Sequence, residues 1–337
     1  SDTLVNLSNL ESLPVLTLSQ AIEAYLTSQS RLLSPASIKM YRQSTGFLLK
    51  TFDGDQLIED LDKYQLIKWR DSLFTARRFQ GHPYIKNQDG RLSVHTIRRI
   101  IADCKAFFAW LVTVGLLESS PLAGVQKPKA PENAPKAISV EDFEKLLAVA
   151  GQYRGNKYNF AVAYQTRNTA IVLTLASTAC RVGGLCSMRV PLLELTDTGA
   201  QIDVQEKGRG GGTTRTVYMS DTAALAILEW LDQRPACAHD YIFTGIEGKS
   251  AGIAMSPQAV RQMLNRLANR AGIEGKFNPH AFRHAAAREW LRNGADLQTV
   301  SQLLGHSDIR VTAKFYARWT QTELRDRHEM VDYTKSK

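Results

Sequence analysis

A chain of 337 residues, 44% hydrophobic and 22% charged, has the balance of folded globular protein, which excludes global disorder, and it exceeds what one compact core usually takes, so two domains are expected. Lysine and arginine outnumber the acids by 42 to 33, a net charge of +9, and that excess favours a polyanionic partner such as nucleic acid. No run approaches the roughly 20 apolar residues of a membrane helix, the N-terminus lacks a basic-then-apolar leader pattern, and Cys104, Cys180, Cys186 and Cys237 lack zinc-site spacing, which reads as reduced thiols of a cytosolic protein.

The N-terminal part reads as helices. Thr17 to Gln20 fits a capping box, followed at helical spacing by Ala21, Ile22, Tyr25 and Leu26. Ser34-Pro35 opens a second helix, which carries Lys39, Tyr41 and Arg42. A third is expected from about Lys63 to Arg77. Ser93 starts a fourth, with Ile97, Ile101, Cys104, Phe108 and Leu111 as one apolar stripe and Gly115 at its end. Between the last two lies Phe79–Leu92, a loop or short hairpin that is long for a helical domain.

Three prolines between Gln126 and Lys136 predict an extended linker, and Ser139 with Asp142 caps the next helix, Val140–Ala150. The second domain mixes elements. A helix is expected near Arg167–Ser177, and Ala200–Gln205 and Thr214–Met219 alternate like two strands joined through Lys207–Gly212. Further helices are expected near Thr222–Gln233, Pro257–Ala271, Pro279–Asn293, Leu297–Leu304 and Arg310–Arg318, with Asn278-Pro279 and Gly294 bracketing the third of these.

The chemistry concentrates late in the chain. His280 and Arg283 lie three apart, on one face at the N-terminal end of a capped helix, where free N–H groups and the helix dipole favour an anion. Leu303–Asp308 and Phe315-Tyr316 follow. Pro279–Arg283, Gly294–Asp296, Leu303–Asp308 and Tyr316 together resemble the C-terminal pattern of the tyrosine recombinases. Leu175–Val182 looks like the family's first arginine box, and Gln205–Gly208, leading through Arg215 to Val217, resembles the strand turn carrying its lysine. The likeness runs from about Ser139 to Tyr316, and the helical N-terminal domain resembles the family's core-binding domain.

The resemblance implies a mainly α N-terminal core-binding domain (residues 1–127), a linker (128–137), an α+β catalytic domain with a small antiparallel sheet (138–319) and a tail helix (320–337) exchanged between protomers. It implies site-specific cutting and rejoining of double-stranded DNA through a 3′-phosphotyrosine and a Holliday junction, by a tetramer closing as a clamp, with no cofactor or metal. An accessory excision factor is a candidate partner. The setting implied is prokaryotic cytoplasm, nucleoid-associated, in a phage or other mobile element. By residue, Arg181 and Arg283 would hold the phosphate and His280 and His306 would hydrogen-bond it. Lys207 would protonate the departing 5′-oxygen, and Tyr316 would attack. The residue types suit this, since charge builds on the non-bridging oxygens and guanidinium stays protonated.

Two departures from the pattern stand out. Tyr316 lies ten residues after His306 where many relatives have nine, a spacing that would select Phe315. Phenylalanine has no hydroxyl to attack with, so Tyr316 is preferred, with Tyr218, Tyr241 and Tyr333 far behind. The acidic residue common three positions after the first arginine is here Gly184, so support for Arg181 must come from elsewhere. His284 is read as structural, and Arg209 and Arg215 lie close enough to Lys207 to be confused with its role. Candidates for DNA contact are Lys39 and Arg42, then Arg98, Arg99 and Lys105, then Arg261 and Arg266. The rivals are a type IB topoisomerase, separable by relaxation of supercoils without partner sites, and a non-catalytic DNA-binding protein on the same scaffold.

Overall fold

The structure is a computed structural model that describes residues 15–77, 90–131, 137–155, 158–206, 212–275 and 277–316, with positions 324, 325, 328 and 329 beyond them. The chain divides into two units, Ser1–Glu132 and Asn133–Lys337.

In the first unit, α1 (Leu18–Ser30), α2 (Pro35–Leu49), α3 (Lys63–Ser72) and α4 (Val94–Thr113) each start at a side chain that accepts from the first turn: Thr17, Ser34, Asp62 and Ser93. Thr17 and Gln20 bond reciprocally as a capping box, at 3.3 and 3.1 Å, and satisfy donors that a helix start leaves free. The expected stripe of α4 is buried, joined by Ile100 and Phe107, and it packs on Leu26, Leu48 and Trp69. Helix α3 stops at Ser72, short of Arg77. The hydroxyls of Ser72 and Thr75 bond the carbonyls of Trp69 and Ser72 at 2.7 and 3.0 Å, offering the backbone a turn in place of another helical turn. Arg77 pairs with Arg91 in an isolated antiparallel bridge at the foot of the Phe79–Leu92 segment, most of which lies outside the described residues.

The second unit contains α5 (Val140–Ala150), α6 (Ala161–Thr178), α7 (Val182–Ser187), β1 (Leu193–Thr196), β2 (Gly199–Glu206), β3 (Thr213–Ser220), α8 (Asp221–Gln233), α9 (Pro257–Arg270), α10 (His280–Arg292), α11 (Leu297–Leu304) and α12 (Ile309–Tyr316). The strands form an antiparallel sheet in the order β1-β2-β3, with Ile202 opposite both Leu193 and Val217. Alternation turns Ala200, Ile202, Val204 and, continuing the period, Glu206 to the buried face of β2. Their apolar members join Ile171, Val172 and Leu175 of α6 and Ile227 and Trp230 of α8 in the main core. A smaller cluster holds Ala179, Ala287, Leu291, Val300, Leu304 and Tyr316. Helix α6 begins six residues earlier than the sequence suggests, and β1, whose Glu194, Leu195 and Thr196 are exposed, carries no burial signal that could have revealed it.

Trp230 is fully buried and its indole Nε1 donates to the Ile242 carbonyl at 2.8 Å. Replacing it by phenylalanine strands that carbonyl and opens a void, so Trp230→Phe is expected to lower stability by about 2–3 kcal/mol, measurable by urea unfolding.

Candidate active site

Arg283 lies in the first turn of α10 and is 3% exposed. Its Nη1 donates to the Ala179 carbonyl at 3.0 Å and its Nη2 to the Leu304 carbonyl. Both acceptors sit at helix ends. Ala179 closes α6 in the left-handed conformation at φ 50°, a region that costs an alanine roughly 1–2 kcal/mol, and Leu304 ends α11 before Gly305 at φ 64°. The turn at Ala179 hands the chain to Arg181, whose extended backbone caps α7. The turn at Gly305 hands it to His306. One buried guanidinium thus ties together the two turns that carry the predicted Arg181 and His306.

Arg181 has the support that Gly184 cannot give it. Glu206, at the end of β2, accepts from the Arg181 main-chain N–H through Oε1 at 3.2 Å and from its Nη1 through Oε2, and it accepts from Arg215 Nη2 at 3.1 Å. Burial alone would raise this carboxyl, but hydrogen bonds and charge from Arg215 and Arg181 outweigh it and hold the group below the usual range. Arg215 continues the chain of contacts, donating from Nη1 to the Leu303 carbonyl at 2.8 Å. Neither Glu206 nor Arg215 was selected from sequence as a site residue. Period-two alternation in β2 does carry the signal for Glu206, a carboxylate on an otherwise apolar face.

His280, His306, Arg181, Arg283 and Glu206, up to 125 residues apart, lie close enough to act on one another's protonation. Burial, followed by the charges of Arg283 and Arg181, lowers His306 to about 4, and the same causes lower His280, on which Arg261 acts as well. His306 is held from behind, its Nδ1 hydrogen-bonded to the buried Thr312 Oγ1 at 2.8 Å. Burial, followed by the charge of Arg181, brings Arg283 down to about 10 against the opposing charge of Glu206, so it remains cationic at neutral pH.

Tyr316 joins this group. It ends α12, is 5% exposed, and its phenol forms a 2.5 Å hydrogen bond with Nδ1 of His284. Burial raises the phenol while Arg283 pulls the other way. Phe315 points outward, 43% exposed, so the ten-residue spacing after His306 brings the tyrosine and not the phenylalanine inward. His284, to which sequence assigned no chemistry, is the direct partner of the phenol. Tyr218 is exposed on β3, and Tyr241 accepts from Arg189 Nη2 at 3.1 Å; neither joins the cluster. Lys207, Arg209, Tyr333 and most of the tail segment lie outside the described residues.

The candidate DNA-contact residues divide by environment. Arg261 and Arg266, both exposed on α9, line a groove of about 730 Å³ with Gln258, Asn265, Asn278 and Pro279, ending beside His280. In the first unit, Arg42 pairs with Glu23, its Nη2 at 3.0 Å from Oε2, and Arg98 donates to the Pro128 carbonyl. Arg99 acts on Asp103, Lys105 is half-buried, and Lys39 is exposed.

The histidines set a pH dependence. Burial, followed by the charge of neighbouring groups, brings His284 and His306 to about 4 in the folded state, against about 6.5 unfolded. A group lowered in this way favours folding fully above its unfolded value, and that contribution is lost as pH falls toward the folded value, because the unfolded chain takes up protons first. The melting temperature is therefore expected to fall between pH 6.5 and 4, and His284→Asn is expected to flatten that fall, as thermal melts across the window would record.

A profile of the phage integrase family matches residues 138–323, more than half of the chain. Among curated relatives, tyrosine recombinase XerD of Listeria innocua is 26% identical over 87% of this chain and 91% of its own length. Tyrosine recombinase XerC of Xanthomonas campestris pv. campestris is 29% identical over 87% of this chain and 82% of its own. Among solved structures, the Tn1549 transposon integrase in complex with transposon right end DNA has a TM-score of 0.71 at 18% identity, covering 94% of this chain and 100% of that one. The XerH site-specific recombinase bound to palindromic difH has a TM-score of 0.65 at 16% identity, covering 95% and 85%. The helical architecture with its three-stranded antiparallel sheet is that of these enzymes, and the chain belongs to the phage integrase family, the tyrosine recombinases that cut and rejoin DNA at specific sites.

Proposed function

We propose that Tyr316 is the nucleophile of this strand exchange and that Arg181, Arg283, His280 and His306 form the pocket for the attacked phosphate. The observation that carries the reading is Arg283: a buried guanidinium bonded to carbonyls and not to a carboxylate, beside Arg181 and two imidazoles. Buried charge is costly unless compensated. A phosphodiester supplies the missing negative charge, and its charge grows as the pentavalent transition state forms, so fixed cations favour that state over the ground state.

In this reading the Tyr316 oxygen bonds to phosphorus as the bond to the 5′-oxygen breaks. The phenol proton leaves toward an imidazole, His280 by resemblance, and Lys207 gives a proton to the departing oxygen. The product is a 3′-phosphotyrosine and a free 5′-hydroxyl. A hydroxyl from the partner strand then reverses the step, so the energy of the ester is conserved and no ATP is needed. Relatives solved on DNA, the Tn1549 integrase on transposon end DNA and XerH on difH, support duplex recombination sites as the substrate here. A tetramer resolving a Holliday junction, an accessory excision factor, exchange of the tail between protomers and a nucleoid setting extend the same reading, and the outcome is integration, excision or resolution of a DNA element.

The test is a nicked suicide duplex carrying the attachment site. The wild-type chain is expected to form a covalent adduct, Tyr316→Phe none, and Tyr218→Phe and Tyr241→Phe a normal one. Arg283→Ala is expected to slow adduct formation by about 10²–10³-fold, as loss of a fixed transition-state donor does. An adduct that survives Tyr316→Phe overturns the assignment.

The groove on α9 makes a separate claim, that Arg261 and Arg266 meet backbone phosphates. Replacing either by alanine is expected to weaken binding across DNA sequences and to reduce the slope of log affinity against log salt by about 1, measured by fluorescence anisotropy.

A further inference from the structure

Glu206 uses both oxygens on two arginines and its side chain is only 2% exposed. Opposite it, in the first turn of α7, lies the buried Gly184. A Cβ at Gly184 would stand 3.4 Å from Cβ and Cγ2 of Val204 and 3.6 Å from Cγ of Glu206. Those are contact distances for a methyl group, so a carboxylate extended from 184 toward Arg181 would meet the Glu206 side chain. A carboxylate can reach Arg181 from β2 or from α7, but there is room for one.

The contacts continue beyond Arg181. Arg215, fixed by Glu206, runs to the Leu303 carbonyl, and its Cδ and Nε lie 2.7 Å from where a Cβ on Gly305 would be. The left-handed glycine lets the guanidinium pass close against the turn before His306. Glu206 therefore connects the arginine at the head of α7 to the turn that presents His306.

We propose that Glu206 is a positioning residue of the recombinase site, orienting Arg181 directly and the His306 turn through Arg215, and that Gly184 is small because this carboxylate occupies the space a side chain there would need. The proposal rests on the phosphate-site reading above. Arg181 is 34% exposed: Glu206 holds one part of its fork and leaves the remainder for a ligand. Without the carboxylate, Arg181 gains rotamer freedom, and Arg181, Arg215 and Arg283 repel one another with nothing between them.

The charge balance gives the proposal a sign that a generally damaged fold would not reproduce. Removing a negative charge beside a phosphate site favours DNA binding, whereas releasing Arg181 impairs the chemistry. Glu206→Gln, which keeps the shape, is expected to bind the attachment site as tightly as wild type or more tightly. Its single-turnover adduct formation on the nicked suicide duplex is expected to slow by about 10- to 100-fold, the scale of a misplaced catalytic group.

The relocated carboxylate supplies the second arm. Gly184→Glu alone is expected to be impaired by crowding, whereas Gly184→Glu combined with Glu206→Gly is expected to recover most of the rate lost in Glu206→Gly. This arm decides the matter if Glu206→Gln does not fold. Wild-type cleavage by Glu206→Gln, or a double variant no faster than Glu206→Gly, overturns the proposal while the wild-type adduct keeps the recombinase reading intact. A wild-type chain that forms no adduct overturns both.

Discussion

Much of the second unit is organised by the need to bury one guanidinium. Arg283 cannot lose its proton at neutral pH, and it sits where water does not reach it, so its N–H groups must find acceptors within the protein. It takes them from Ala179 and Leu304, the ends of α6 and α11. Those carbonyls are free because a helix leaves its last acceptors unpaired. The requirement explains why both helices stop in left-handed residues, one of them an alanine. Each stop turns the chain so that its carbonyl faces Arg283 and its following residues, Arg181 and His306, leave toward the same place. Backbone carbonyls satisfy hydrogen bonds without cancelling charge, so the positive field of Arg283 persists around it.

A second layer fixes how much of the remaining charge is neutralised. Three guanidinium groups share one carboxylate, Glu206, which pairs with Arg181 and Arg215 and reaches Arg283 only through its field. The surplus is positive. That surplus, together with burial, keeps His306 near 4 and lowers His280, so both rings are neutral at pH 7 and can accept as well as donate. Glu206 pulls both rings the other way, and burial with the arginine charges outweighs it.

What the sequence revealed, and what it hid, follows from the range of the interactions involved. Caps and periodicity are local, so the starts of α1, α2, α4 and α5 and the stripe of α4 were legible. The arginines, histidines and tyrosine were legible through their resemblance to a pattern, which orders residues along the chain without saying what supports them. Glu206 reaches Arg181 across 25 positions, and Arg215 reaches Leu303 across 88; alternation in β2 marks Glu206 as facing inward, but nothing short-ranged names the partner of either. The absence at Gly184 showed that a carboxylate was missing, and only the fold identified its substitute. The end of α3 was misplaced because hydroxyl-to-carbonyl bonds at Ser72 and Thr75 act against an apolar pattern that would have allowed more helix.

Tyr316 brings these layers together. Its ring packs with Ala287, Leu291, Val300 and Leu304, from the helices that frame Arg283 and His306, so the core that positions the proposed phosphate site also positions the phenol. Packing of this kind has an electrostatic consequence. The apolar cluster raises the phenol above its ordinary value, and Arg283 offsets only part of that rise. In the DNA-free chain the Tyr316 phenol is therefore protonated at neutral pH, its oxygen bonded to a neutral His284. A phenol in that state is a poor nucleophile. In the proposed reaction the phenol therefore needs a proton acceptor within reach of its oxygen as it approaches phosphorus, and the neutral imidazoles of the cluster are the groups chemically fit to be one.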